Sequence, residues 1–476
     1  MVFSDPVFLF AFMPCCLLLL WAGGWRVRNQ FLIAVGTVFY IWGGRGFVLL
    51  LAASVIGNHL AANRLALWRT ERPAAGRRLV QLVVVLNLAS IGVWKYGGFA
   101  VAQTSALMRA VGLHAGATVH LALPIAISFY TFQCISYVID VWRGTSQPAP
   151  KLTDFAAYIL LFPHLIAGPI VRYADIEHDL LTVPAHRYDD FVEGAPRFFW
   201  GLAKKVMVAD QVAAIANASF DLPYGHYTTA SVWIGALAYA VQIYFDFSGY
   251  SDMAIGLARM LGFHFPENFN RPYSAVSITD FWRRWHMSLS SWFRDYVYIP
   301  LGGNRRGPVR TYANLSIVFL LTGLWHGANW TFIVWGLFHG ACLVIERLTG
   351  LGVHGTPSWA PLRRLVTFTL VLLGWVLFRS SDLPHAMHFF YVMFLPHGGP
   401  IPLGLDVFLT TQRLFWWAVG ISVIFMPADG QIGRVLTYRS GRSADALRLA
   451  MVLVVAPLAC MYALSSTFSP FLYFQF

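Results

Sequence analysis

Apolar runs long enough to form helices recur from one end of the chain to the other, and short loops rich in arginine separate them. In hydrocarbon every backbone N–H and C=O needs an internal partner, so a spanning segment is a helix or part of a closed barrel. The chain is 57% hydrophobic and 12% charged, with a mean hydropathy of +0.58. Soluble domains carry about 25% charged residues. The fold class expected is an all-α polytopic membrane protein, read as a single integral-membrane domain over 1–476.

The net charge of +12 does not point to nucleic acid. Its arginines lie in short loops between apolar runs, the positive-inside pattern, and no nucleic-acid-binding module is recognisable. The most basic loop, 64–78, and the pair Arg26 and Arg28 fall on one side if successive runs cross. With that side cytoplasmic, the N-terminus lies outside. The start of the chain lacks the basic region of a signal peptide and carries Asp5, so it reads as a retained span. Cys15, Cys16, Cys134, Cys342 and Cys460 lie in apolar stretches with no metal-ligand or disulfide spacing, which suits small core residues.

Crossing segments are expected at 7–21, 31–42, 47–62, 79–96 and 121–139. After these the pattern loosens. The run 155–171 is interrupted by Pro163 and Pro169, and 198–215 carries Lys204 and Lys205. The run 231–245 ends at Asp246, and a short one follows at 252–261. Between them Asp246, Ser248, Ser251 and Asp252 read as the cap of a broken helix or as the lining of a cavity. Later segments fall at 312–325, 330–345, 365–378, 415–425 and 447–464, whereas 270–310 is too polar to span. About eleven to thirteen transmembrane or re-entrant helices result, several too short for a core of roughly 30 Å. No internal repeat supports an inverted-repeat transporter.

The chemistry-bearing stretch is 281–340, where His286, His326 and His339 stand among apolar residues. Ionisable groups at membrane depth are costly and mark partners, cavities or substrate paths. On a helix over 281–296, six large apolar residues including Trp285 fall within roughly 120° of arc, with Arg283, Arg284 and Arg294 opposite and His286 at the stripe's edge. This describes a helix in the plane of the membrane, led by Ser277-x-x-Asp280 as a capping box variant. A purely structural amphipathic helix has the same pattern. His326 lies in Leu-Trp-His-Gly-Ala-Asn-Trp, 324–330, where one apolar segment gives way to the next. A histidine in such a context is a structural hydrogen-bonding residue or a desolvated, neutral general base. The sequence contains no P-loop, HExxH or HxxxxD pattern, and Met253 stands where a nucleophile elbow needs glycine. The histidines have no carboxylate or thiolate at metal-ligand spacing, so no metal site is expected.

FWRRWHMSLSSWFRDYVYIPLGG followed by GLWHGANW resembles the membrane-bound O-acyltransferase family, in its bacterial polysaccharide-acetylating branch. PIAISFYTFQCISYVIDVWRG, FPHLIAGPIVR, the run 244–256, FPENFNRPY and the terminal SPFLYFQF agree with it. The D-alanyl-transferring branch of teichoic acid synthesis shares the WRRWHMSLSSWFRDY-like run, but the PLGGNRRG continuation at 300–307 favours the acetylating one.

The resemblance implies a ring of tilted helices around a central tunnel, with the catalytic core at about 121–345. His326 would occupy the narrow centre and His286 would be the second catalytic histidine. Asp246, Ser248, Asp252, Trp285, Ser288, Arg294, Trp325 and Asn329 would line or support the tunnel, and Arg283 and Arg284 would meet donor phosphates or lipid. No bound cofactor is implied. A cytoplasmic acyl thioester, acetyl-CoA, would be the donor, and hydroxyls of an exported polysaccharide such as alginate the acceptor. The place implied is the bacterial inner membrane, with separate periplasmic acetyltransferase and export proteins as partners. The alternatives are a transporter of an acyl group or polysaccharide without chemistry, D-alanyl transfer to teichoic acid, and a scaffold for an export complex.

Overall fold

The computed structural model describes residues 2–23, 25–114, 121–352, 359–425, 431–465 and 471. Of the terminal motif only Phe471 is among them. All regular structure among the described residues is helical. Six helices are long and apolar enough to cross a membrane: Val48–Glu71, Pro73–Ala110, Thr229–Met260, Trp330–Leu348, Ala360–Arg379 and Arg442–Ser465. A bent pair, Phe8–Gly23 with Trp25–Gly44, makes up to seven. Other expected segments form shorter helices, such as Ile127–Arg143 with 17 residues and Leu152–Ile159 with 8.

The described residues fall into two compact units, one mainly Pro6–Val192 with Leu257–Pro266, the other mainly Glu193–Gly256 with Glu267–Phe476. In the first, the glycine at 36 lets a helix approach the Leu160 carbonyl, where a Cβ would collide. Ala149 donates its N–H to the Tyr137 hydroxyl at 2.9 Å, and the buried Arg28 guanidinium donates to the Asp179 and Thr182 carbonyls. His264 lies 3.1 Å from Asp179 and 3.3 Å from Asp190. Hydrogen bonds to these carboxylates raise its pKa to about 9.

In the second unit two helix pairs pack nearly backbone to backbone. Gly201 meets Gly249 and Gly194 meets Gly256, so Arg187–Ala203 and Thr229–Met260 run antiparallel along a seam of small residues. The hairpin of Pro308–His326 and Trp330–Leu348 uses Gly323 against the Phe332 carbonyl and Gly336 against that of Phe319. Without lipid-specific hydrophobic drive, close van der Waals approach is what holds such helices together.

Two expectations about local structure are corrected. The break at 246–251 does not occur: Thr229–Met260 is one helix of 32 residues. Its acidic side chains are satisfied from the neighbouring segment, so the backbone has no need to part. Nor is 281–296 a continuous helix. Ile278–Trp282 ends in a turn, His286 adopts φ 44° and ψ 55°, and Met287–Phe293 begins anew. The strand-like loop before it supplies the reason, since Asn270 N–H donates to the Arg284 carbonyl at 2.8 Å and Met287 N–H to the Asn268 carbonyl at 2.9 Å. Half of the anticipated cap is present: the Ser277 hydroxyl accepts from Asp280 N–H at 3.0 Å, while the Asp280 carboxylate accepts from Val276 N–H instead.

Gly336→Val is expected to lower hairpin stability by about 1–3 kcal/mol, the usual cost of overpacking, read as an earlier melting midpoint of the purified protein in detergent. His264 has a second consequence. Its folded pKa is raised, so its contribution is complete below the unfolded value of about 6.5 and is lost as pH rises through about 9. Hydrogen exchange should show local protection of 179–192 falling over that window in the wild type and not in His264→Gln.

Candidate active site

His326 is the last residue of its helix. Gly327 leaves in an extended conformation, and Asn329 caps the next helix by accepting from Thr331 N–H at 3.2 Å. The Asn329 amide donates to the Ser381 carbonyl at 2.7 Å. Asn329 thus ties the start of the helix after His326 to the segment at Ser381. The imidazole of His326 is buried among rings, with centroids of Trp325, Trp335 and Phe378 at 5.0, 5.0 and 5.1 Å. Trp325 lies 6.2 Å from His286, which packs edge-on to Phe247 at 4.6 Å. Trp335 also lies 5.1 Å from His339, itself 5.2 Å from Trp282. The three histidines of the sequence motif therefore share one aromatic cluster in the second unit. Such walls exclude water, which strengthens electrostatic interactions among them.

His286 is fully buried, and desolvation lowers its pKa to about 3. Its Nδ1 is 3.1 Å from Asn268 Oδ1, which also accepts from the Ser288 hydroxyl at 2.9 Å. Trp285 fills the space beneath this turn, 4.8 Å from Trp375 and 5.6 Å from Phe281. The indole of Trp375 donates to the Tyr273 hydroxyl at 3.0 Å, which donates to the Ala240 carbonyl.

The two aspartates are each held in ion pairs. Asp246 pairs with Lys205 at 2.6 Å, and Lys205 also reaches Asp210 at 2.7 Å. Asp252 is held by Arg197 at 2.6 Å and Lys204 at 2.8 Å, and Arg197 turns to Glu267 at 2.9 Å. Arg197, Lys204, Lys205, Asp246 and Asp252 are buried, so their charges depend on these partners. Ser248 and Asp252 line a cavity of about 80 Å³, together with Lys204, Ser251, Asn268 and Arg271. That is room for several waters.

Arg283 and Arg294 line a larger, mostly apolar cavity of about 490 Å³ with Trp282, Phe293, Leu315 and Phe319. Arg294 is exposed and pairs with Asp295 at 2.7 Å, and Arg284 is drawn back to Asp280 at 2.8 Å. Among the described residues no group of three or more His, Cys, Asp or Glu side chains is arranged to hold a metal ion. The anchors that sequence reasoning passed over are Arg197, Glu267 and Asn268. Lys204 and Lys205 inside an apolar run signalled buried partners without saying which.

The histidine-bearing hairpin and the Asn268 loop both fall inside residues 147–378, which match the model of the MBOAT, membrane-bound O-acyltransferase family. The chain is 48% identical over 395 residues to a probable alginate O-acetylase of Pseudomonas aeruginosa, covering 83% of this chain and 75% of that protein. It belongs to the membrane-bound O-acyltransferase family. A probable alginate O-acetylase of Pseudomonas putida is 42% identical with both chains fully covered. A peptidoglycan O-acetyltransferase of Helicobacter pylori is 34% identical, covering 81% of this chain and 78% of that one. This membrane-bound O-acyltransferase is thus a multi-pass enzyme whose family region spans the histidine cluster and the ion network alike.

Asp252→Asn should destabilise this O-acyltransferase by about 3–5 kcal/mol, because Arg197 and Lys204 would be left buried without their shared carboxylate. The joint change Lys204→Met with Asp252→Leu should restore part of the loss. Melting of the detergent-purified variants checks both.

Proposed function

We propose that this membrane O-acyltransferase takes an acetyl group from a cytoplasmic thioester, acetyl-CoA, and passes it toward hydroxyls of an exported polysaccharide such as alginate. The names of the alginate and peptidoglycan relatives support an envelope glycan as the acceptor class. Separate periplasmic proteins would complete delivery, and the basic loops argue for the inner membrane with the N-terminus outside.

The observation that carries the reading is the burial of His326 in aromatic walls at a helix junction. In this mechanism neutral His326 removes the proton of the acceptor hydroxyl as its oxygen attacks the thioester carbonyl carbon. The tetrahedral intermediate collapses, the C–S bond breaks, and the proton passes from the imidazolium to the leaving thiolate. The ester and the free thiol are the products. General-base assistance contributes typically 10²–10⁴-fold. The cavity at Arg283 and Arg294 supplies apolar walls for a donor arm and guanidinium groups for its phosphates.

Chromosomal His326→Ala, with membrane protein matched by blot, is expected to lower ester-linked acetate on one envelope or secreted polysaccharide by 100-fold or more. Unchanged acetate and unchanged ester-linked D-alanine on every polymer would remove His326 from the mechanism. Loss of ester-linked D-alanine instead would transfer the chain's chemistry to the teichoic acid branch.

A further inference from the structure

His286 is one of three described non-glycine residues with positive φ. Left-handed backbone is uncommon outside glycine and persists where the surroundings impose it. Asn270 N–H holds the Arg284 carbonyl before the turn, and Asn268 holds the residues after it. Its main-chain carbonyl accepts from Met287 N–H, immediately after the left-handed position. Its side-chain oxygen accepts from Ser288 N–H at 3.3 Å and from the Ser288 hydroxyl at 2.9 Å. Its amide nitrogen donates to the Ser251 hydroxyl at 3.1 Å.

These contacts orient the amide without ambiguity. A backbone N–H can only donate, so the atom facing Ser288 N–H is the oxygen. The same oxygen lies 3.1 Å from His286 Nδ1. The Ser288 hydroxyl also lies 3.4 Å from this nitrogen, but its proton has the shorter path to Asn268 Oδ1 at 2.9 Å; an amide oxygen has no proton to give, so the Oδ1 to Nδ1 contact calls for the hydrogen on Nδ1. In a neutral imidazole the other nitrogen then has a bare lone pair.

We propose that Asn268 is a positioning residue that fixes His286 as the Nδ1–H tautomer and so makes Nε2 a proton acceptor. His286 then receives a hydrogen bond from a hydroxyl or thiol of the reactants; it does not donate one to the oxyanion of the tetrahedral intermediate. The kinetic consequence rests on the acyl-transfer reading above, whereas the tautomer does not.

Desolvation keeps the ring neutral across the physiological range. The charged and titratable groups on the elements around it are Asp246 and Asp252 on the long helix, each in ion pairs, and Glu267 and Arg271 on the Asn268 loop. Arg283 and Arg284 precede it in its own turn, and His326 lies beyond Trp325.

The test uses the full chain in lipid nanodiscs with 15N-histidine, the His286 signals being assigned by their loss in His286→Gln. At neutral pH the wild type should show a protonated Nδ1 and an unprotonated Nε2. Asn268→Asp keeps an acceptor at the same place, and Ser251 can turn its own hydroxyl proton toward it. Its carboxylate opposite Nδ1–H should raise the His286 titration midpoint by about one unit or more. The acidic limb of acetyl transfer from acetyl-CoA should move up by the same amount. Asn268→Leu should lower kcat at least about tenfold with little change in KM. A protonated Nε2 in the wild type overturns the proposal, whether or not transfer is detected. So does Asn268→Asp with an unmoved titration midpoint. If Asn268→Leu does not accumulate, the Asn268→Asp comparison still decides.

Discussion

One guanidinium ties the site together. Arg197 is buried and divides its donors between Asp252 on the long helix and Glu267 at the start of the loop that follows it. A buried charge with a missing partner costs several kcal/mol, so this three-way contact sets where that loop leaves. The next residue is Asn268, and through it the position passes to His286. Lys204 and Lys205 complete the arrangement by neutralising Asp252 and Asp246. The polar interior of the second unit is therefore a chain of mutual dependence and not a set of separate contacts.

Close backbone packing makes this possible. Lys204 and Lys205 follow the helix that meets Thr229–Met260 at Gly201 and Gly249. Side chains as long as lysine and arginine reach carboxylates across such a seam while their stems stay in apolar surroundings. The glycine contacts of the 308–348 hairpin do the equivalent for His326, drawing two helix ends together so that Trp335 and Phe378 enclose the ring. The aromatic enclosure supplies dryness; the ion network supplies position.

Two histidines of the aromatic cluster occupy different kinds of environment. His326 sits at a helix end, and Asn329, three residues on, caps the next helix at Thr331 and bonds to Ser381. His286 sits in a strained turn held by an amide. Each imidazole is anchored by a different segment, so neither is free to follow the other's motion.

Sequence by itself determined the class of the protein and where its candidate histidines fall along the chain. Apolar runs with arginine loops dictate membrane helices, since backbone groups in hydrocarbon have no alternative, and Leu-Trp-His-Gly-Ala-Asn-Trp marks His326 at a junction because glycine and asparagine end and restart helices. The Ser277 cap was legible for the same local reason. Tertiary structure alone decided the rest. A helical wheel over 281–296 places His286 on a stripe's edge by assuming a continuous helix, but the backbone there pairs with residues 268–270, and no local pattern encodes that. The acidic run 246–252 looks like a helix break because its neutralising partners, Lys204 and Arg197, lie 48 and 55 residues from Asp252. Local propensity governs where a helix starts and stops; which buried charge meets which is set only when the segments pack.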